Sequence, residues 1–126
     1  MPPLSLSLLL GIFIGGGTGS VLRYLLGLWL QGRSVFPLGT LAANFLATAL
    51  LAVVTIKLAS RWPDGHVLPA ALAIGLCGGF STFSSFSADN HRLIAEGQWT
   101  LAAMNIAISV LGCLAVFAVV ASTIRR

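Results

Sequence analysis

Four long stretches of the chain contain no Asp, Glu, Lys or Arg, and they cover residues 1–22, 34–56, 67–88 and 97–124. Each is close to the roughly 20 apolar residues that a helix needs to cross the hydrocarbon core of a bilayer. The pattern predicts membrane-spanning helices at residues 4–30, 38–59, 67–88 and 99–124, joined by short connections at residues 31–37, 60–66 and 89–98. We therefore expect an all-α integral membrane protein in which residues 1–126 form a single four-helix transmembrane domain.

The composition supports a membrane protein. Of the residues, 57% are hydrophobic and 8% are charged, whereas a soluble domain carries roughly 25% charged residues. This balance excludes a soluble enzyme, a disordered chain and a nucleic-acid binder, since the basic residues are scattered rather than gathered into a patch. The two cysteines, Cys77 and Cys113, lie inside apolar stretches without metal-binding spacing, which favours buried small hydrophobes.

Basic residues near the ends of the predicted helices carry a weak orientation signal. The chain could therefore insert both ways, and two opposite copies could pair about a two-fold axis in the membrane plane. Four helices enclose little interior, so we expect any transport pathway to need a homo-oligomer. The amino-terminal side has Lys57, Arg61, Arg125 and Arg126, and the other side has Arg33 and Arg92.

In the first helix, small residues and one arginine recur every four positions. Small residues at this spacing favour a packing seam against another helix. The arginine differs from the small residues, because placing a charged side chain within a membrane span costs free energy. It either snorkels to the interface or attracts anions into a wet vestibule. The recurring residues are Gly11, Gly15, Gly19, Arg23 and Gly27.

Polar residues also align on one face of the second helix, at Thr40, Asn44 and Thr48. An asparagine in lipid must find hydrogen-bond partners, and either a neighbouring helix or a transported ion would supply them. In the fourth helix a similar face favours packing and interhelical hydrogen bonds. That face consists of Asn105, Ser109 and Gly112.

The third helix is the most informative part of the sequence. Gly78-Gly79 lies near the middle of an apolar stretch and is followed by hydroxyl residues, which favours a broken helix. Broken backbone at bilayer depth needs cover from protein, water or an ion, and a plain glycine kink is the alternative. Farther on, Phe83 and Phe86 share a face, so they either pack or turn the positive edges of their rings toward an anion.

The acidic residues argue against a cation pathway. Asp64, Asp89 and Glu96 are all expected in loops or at helix ends. A cation pathway or a carboxylate proton relay would therefore lack its usual intramembrane acid.

Three motifs occur together: GGTGSVLRY at residues 16–24, GTLAAN at residues 39–44 and GLCGGFSTFSSF at residues 75–86. Together they closely resemble the Fluc family of fluoride channels, also called the CrcB family, over essentially the whole chain. The sequence departs from the family where threonine is common, with Ser81 and Ser85, but it keeps the hydroxyls.

The resemblance implies an antiparallel, dual-topology homodimer with its third helix broken at the middle. It also implies two fluoride pathways beside the subunit interface and a structural sodium ion on the two-fold axis. Membrane lipid would surround the dimer, and a bacterial inner membrane is the expected location. By position, the pathway residues would be Asn44, Phe83, Phe86, Ser84, Ser85 and Thr40, with Arg23 in a vestibule and the main chain of Gly78 and Ser81 holding the sodium.

Two alternatives belong to other functional classes. A small dual-topology multidrug or cation exporter also has four short spans, but its mechanism depends on a carboxylate in the first helix, and residues 1–30 contain none. A membrane assembly subunit without transport activity would show no ion flux after purification and reconstitution.

Overall fold

The computed structural model describes residues 4–30 and 32–126, with the backbone alone at residue 59. Over these residues the fold is all-helical. Four helices are long and apolar enough to cross a membrane: α1, Leu6–Leu30; α2, Leu38–Leu58; α3, Val67–Ala95; and α4, Trp99–Arg125. The prediction of four spans is thus confirmed. Gln31, the first residue of the predicted first connection, lies outside the described residues.

The third helix is longer than predicted, because helical backbone continues to Ala95. The predicted connection at residues 89–98 is therefore wrong for most of its length, and only residues 96–98 join α3 to α4. Gly97 has a φ of +74°, which allows the turn there. The polar residues Asp89 and Asn90 are helical because their side chains hydrogen-bond to α2 and α4 rather than needing water.

Two adjacent residues within α3, Ser81 and Thr82, have extended rather than helical backbone. Ser81 has φ −75° and ψ 156°, and Thr82 has φ −154° and ψ 119°. The sequence prediction located a break at Gly78-Gly79, and that position is wrong. Gly78 has helical angles, φ −63° and ψ −39°, and Gly79 lies in the same helical turn.

The glycines of α3 serve close packing against α1. A Cβ atom on Gly79 would overlap the carbonyl oxygen of Gly16, and one on Gly19 would overlap the carbonyl oxygen of Leu76. The two backbones approach this closely only because both surfaces lack side chains at the crossing. The spaced glycines of the first helix therefore form the packing seam that their spacing favours.

Helix α2 packs against α4 on the other side of the protein. The ring of Phe45 lies over Gly112, where a Cβ atom would collide with it. Buried alanines Ala43 and Ala47 let the same helix approach its neighbours. Many large apolar side chains on α1 and α4 are exposed, as expected for surfaces that face lipid or a second subunit.

Candidate functional site

The extended backbone in α3 is held by Asn44 of α2. The Thr82 N–H donates to Asn44 Oδ1 at 2.7 Å, and Asn44 Nδ2 donates to the Thr82 carbonyl oxygen at 3.2 Å. One carboxamide thus satisfies both main-chain polar groups of a residue that has left the helix. Unpaired groups of this kind are costly where water is scarce. The polar partner that the sequence required for Asn44 is the neighbouring helix.

A cavity of about 230 Å³ opens beside this contact. It brings together Asn44, Phe83 and Phe86, three residues that the sequence singled out. The described side chains that line it carry amide, hydroxyl, thiol and apolar groups and no formal charge. Its lining consists of Asn44, Thr48, Ser81, Thr82, Phe83, Phe86, Ser109, Val110 and Cys113.

The two phenylalanines of this cavity form an aromatic pair. Their ring centroids are 5.5 Å apart and their planes are inclined by 42°, a tilted arrangement that suits the ring quadrupoles. Phe86 is 9% exposed, whereas Phe83 is 77% exposed. Packing within the chain therefore buries Phe86 and leaves most of the Phe83 ring uncovered.

Few hydrogen-bond donors in the cavity remain uncommitted. The Thr48 hydroxyl donates to the Asn44 carbonyl oxygen at 2.7 Å, and the Ser109 hydroxyl donates to Asn105 Oδ1 at 3.3 Å. The Asn44 amide has two N–H groups, of which one is committed to Thr82. Its second N–H is therefore the amide donor available to a molecule in the cavity.

A second cavity, of about 460 Å³, lies between α1, α2 and α3 and contains Arg23, Thr40, Thr82 and Ser85. Arg23 Nε donates to the Gly79 carbonyl oxygen at 3.1 Å. The guanidinium is thus tied inward to α3 and lines a polar cavity. Its remaining N–H groups are the kind of donors that hold an anion in a vestibule.

Thr40 lines both this second cavity and a third cavity of about 250 Å³. Its hydroxyl donates to Asp89 Oδ2 at 2.7 Å, and Arg92 lines the same third cavity. The expectation that all three acids lie in loops or at helix ends is wrong for Asp89, which lies within α3. Its hydrogen bond to α2 satisfies the carboxylate there.

Ser84 is the one predicted pathway residue outside these described cavities. Its side chain is exposed, and its hydroxyl lies 3.2 Å from the Thr82 hydroxyl. Thr82 Oγ1 in turn accepts from the Ser85 N–H at 3.1 Å and caps the second part of α3. The hydroxyl of Thr82, the second extended residue, therefore supports the restart of the helix.

The family resemblance implies a sodium ion at the main chain of Gly78 and Ser81. Among the backbone hydrogen bonds formed outside regular helix by residues 4–30 and 32–126, none is accepted by the carbonyl oxygen of Gly78 or Ser81. Gly78 is also exposed on the surface of the chain. Neutral oxygens of this kind are suitable ligands for a hard cation such as sodium. Among the described residues, no cluster of His, Cys, Asp and Glu offers an alternative metal site.

Sequence reasoning missed three contributors to the site. Side-chain patterns contain no information on the main-chain geometry of Thr82. Asp89 and Asn90 fell in a segment that was expected to be a loop. Their spacing along a helix, together with the polar faces of α2 and α4, was the signal that could have revealed them.

Comparison with known proteins gives one matching family and a set of similar relatives. Residues 10–121 match the sequence model of a family described as CrcB-like protein, Camphor Resistance (CrcB). The chain is 48% identical over 93 residues to the fluoride-specific ion channel FluC of Phocaeicola vulgatus, covering 72% of this chain and 76% of that protein. It is 39% identical over 114 residues to the fluoride-specific ion channel FluC of Escherichia fergusonii, covering 90% of each.

Proposed function

This chain belongs to the CrcB family of membrane proteins, and from that premise we propose that it is a fluoride-selective channel through which fluoride leaves the cell passively. Its relatives are named as fluoride-specific ion channels. The observation that carries the proposal is the cavity in which Asn44, Phe83 and Phe86 meet. We place the protein in the bacterial inner membrane as a channel rather than an enzyme.

The chemistry of the cavity suits a small anion. The lining has no carboxylate to repel fluoride and no cation to trap it. The uncommitted N–H of Asn44 replaces part of the hydration shell, and the positive ring edges of Phe83 and Phe86 add attraction without a full charge. The Arg23 guanidinium raises the local anion concentration in the vestibule, where Thr40 and Ser85 also lie.

Fluoride efflux from liposomes tests this function directly. Purified protein is reconstituted into fluoride-loaded vesicles, and a fluoride-selective electrode follows release after the membrane potential is dissipated. Release is expected from protein-containing vesicles, with little release of chloride from matched chloride-loaded vesicles. No fluoride release above that of protein-free vesicles would instead favour a membrane subunit without transport activity.

We further propose an antiparallel homodimer with two pathways. Phe83 is 77% exposed in the protomer and Gly78 is also uncovered, so a second copy would complete the lining around them. The weak bias of basic residues between the two membrane sides allows both insertions. The two pathways would be related by the two-fold axis.

Dual topology predicts that each loop appears on both sides of the membrane. Single cysteines at Ser34→Cys and after Arg126, in a background with Cys77→Ala and Cys113→Ala, are labelled on intact cells with an impermeant maleimide. About half of each variant is expected to react from outside because two orientations are equally populated. Complete labelling of one variant and none of the other would establish a single orientation.

For the dimer centre we propose a structural sodium ion bound by the main-chain carbonyls of Gly78 and Ser81. Neither carbonyl oxygen accepts a backbone hydrogen bond among those described outside regular helix, which supports this assignment. A bound cation would neutralise carbonyl dipoles that point at the axis and would fix the two subunits together. It contributes charge and rigidity, while the anion is bound by the side chains described above.

Sodium is therefore expected to raise the thermal stability of the purified dimer. Melting is followed by tryptophan fluorescence in sodium chloride and in N-methylglucamine chloride at equal ionic strength. A higher midpoint in sodium, which saturates with concentration, is the expected result of binding to the folded state. Equal midpoints in the two salts would argue against the site, whatever the fluoride efflux of the protein.

A further inference from the structure

A hydrogen-bonded network of buried polar side chains links Phe86 to the cavity that its ring lines. Asn90 Nδ2 donates to the Phe86 carbonyl oxygen at 2.9 Å, and Asn105 Nδ2 donates to Asn90 Oδ1 at 3.0 Å. The Ser109 hydroxyl completes the network by donating to Asn105 Oδ1 at 3.3 Å. Asn90, Asn105 and Ser109 are 7%, 2% and 7% exposed, and Ser109 lines the cavity.

The direction of every hydrogen bond in this network follows from the Phe86 carbonyl. The Phe86 carbonyl can only accept, so the Asn90 carboxamide must turn its Nδ2 toward it and its oxygen toward α4. Asn105 must then present its own Nδ2 to that oxygen, which leaves Asn105 Oδ1 facing Ser109. Ser109 has one hydroxyl hydrogen, and it is therefore committed to Asn105.

We propose that Asn90 and Asn105 are positioning residues that hold the Ser109 hydroxyl hydrogen away from the cavity. This inference rests on the proposed function and concerns how strongly the pathway binds fluoride. In the resting arrangement Ser109 turns oxygen lone pairs toward the cavity, which disfavours an anion. Ser109 can donate to fluoride only when its hydroxyl rotates and breaks its bond to Asn105. The network thus weakens fluoride binding, which favours rapid release along the pathway.

Breaking the network should strengthen fluoride binding. Asn90→Leu removes the acceptor that fixes the Asn105 amide, so that amide can turn and donate to Ser109, and the hydroxyl hydrogen is released toward the cavity. A neutral hydrogen bond of about 1 kcal/mol corresponds to about a fivefold change in binding. Initial efflux rates at increasing fluoride concentration should therefore give a half-saturating concentration about threefold to fivefold lower than that of the wild type.

Asn105→Leu provides a second variant, since it removes the acceptor of the Ser109 hydroxyl directly, and it should shift the half-saturating concentration in the same direction. Both shifts require the hydroxyl, so neither should occur when Ser109→Ala is the starting protein. Ser122→Ala is the matched control, because that exposed hydroxyl of α4 donates to the Val119 carbonyl outside the cavities described here. Simple loss of packing would lower the maximal rate without strengthening binding.

The outcomes distinguish failure of the positioning role from failure of the proposed channel function. An unchanged or higher half-saturating concentration in folded Asn90→Leu and Asn105→Leu proteins would overturn the positioning role. A decrease that persists in the Ser109→Ala background would also overturn it. A wild-type protein that carries no fluoride would overturn the proposed function and this role with it, whereas a conducting wild type with unshifted variants would overturn this inference alone.

Discussion

Phe83→Ile is expected to reduce fluoride efflux by at least about tenfold, which corresponds to about 1.4 kcal/mol of lost interaction in the pathway, while the protein remains folded. The substitution keeps an apolar side chain but removes the ring quadrupole that faces an anion with its positive edge. Phe83 is 77% exposed in the protomer, so little packing within the subunit is lost. Efflux from liposomes measures the effect, and size-exclusion chromatography checks the assembly.

The chain offers a matched control in Phe13→Ile. Phe13 lies on α1, is 78% exposed and does not line the cavity of Phe83. If loss of an exposed aromatic ring acted merely through lipid contact, both variants would lose efflux equally. Wild-type efflux from correctly assembled Phe83→Ile protein would mean that the pathway lies elsewhere.

Phe86→Ile should combine the same loss of efflux with lower stability. Phe86 is 9% exposed, and the smaller side chain leaves unfilled space in the protomer, at a cost of about 1–3 kcal/mol. This difference from Phe83 separates the role of the rings in packing from their role in the pathway. Thermal melting of the two variants measures it.

Asn44→Asp is expected to remove efflux at neutral pH for two reasons. An ionised carboxylate beside the cavity repels fluoride. It also cannot donate to the Thr82 carbonyl oxygen, which now accepts from Asn44 Nδ2 at 3.2 Å. A buried carbonyl left without its donor costs about 1–3 kcal/mol, and the Thr82 carbonyl is part-buried, so the extended backbone of α3 should be destabilised by the lower part of this range or less.

Acidic pH supplies the internal control for this variant. A protonated Asp at position 44 is neutral and can again donate a hydrogen bond to Thr82, so part of the efflux should return as the pH falls. The leucine of Asn44→Leu can neither change its charge nor donate a hydrogen bond, so this variant should stay inactive at every pH. Protein-free liposomes at each pH give the background leak. Full efflux from Asn44→Asp at neutral pH would show that Asn44 neither contacts the anion nor holds the backbone.

The sequence by itself determined the four spans, because about 20 consecutive apolar residues have few stable environments other than a bilayer. It also determined which side chains are candidates for the site, since polar groups in apolar helices cost free energy unless they have partners. The motifs at residues 16–24, 39–44 and 75–86 identified the family. These inferences depend on local composition and spacing, which do not change when the chain folds.

Only the tertiary structure decided where α3 leaves helical geometry. The glycine pair Gly78-Gly79 looked like the weakest point of the helix, yet both residues are helical, and Gly79 packs closely against Gly16 of α1. The extended residues are Ser81 and Thr82, since Asn44 from another helix supplies the partners that the Thr82 main chain would otherwise lack.

Tertiary contacts also decided the length of α3 and which hydrogen-bond donors in the cavity are committed within the protein. The polar segment that begins at Asp89 is helical because Thr40 and Asn105, distant in sequence, satisfy its side chains. The same contacts determine which hydroxyl hydrogens are free and which are committed within the protein. Hydrogen bonding between helices depends on three-dimensional proximity, and residue spacing within one helix does not contain that information.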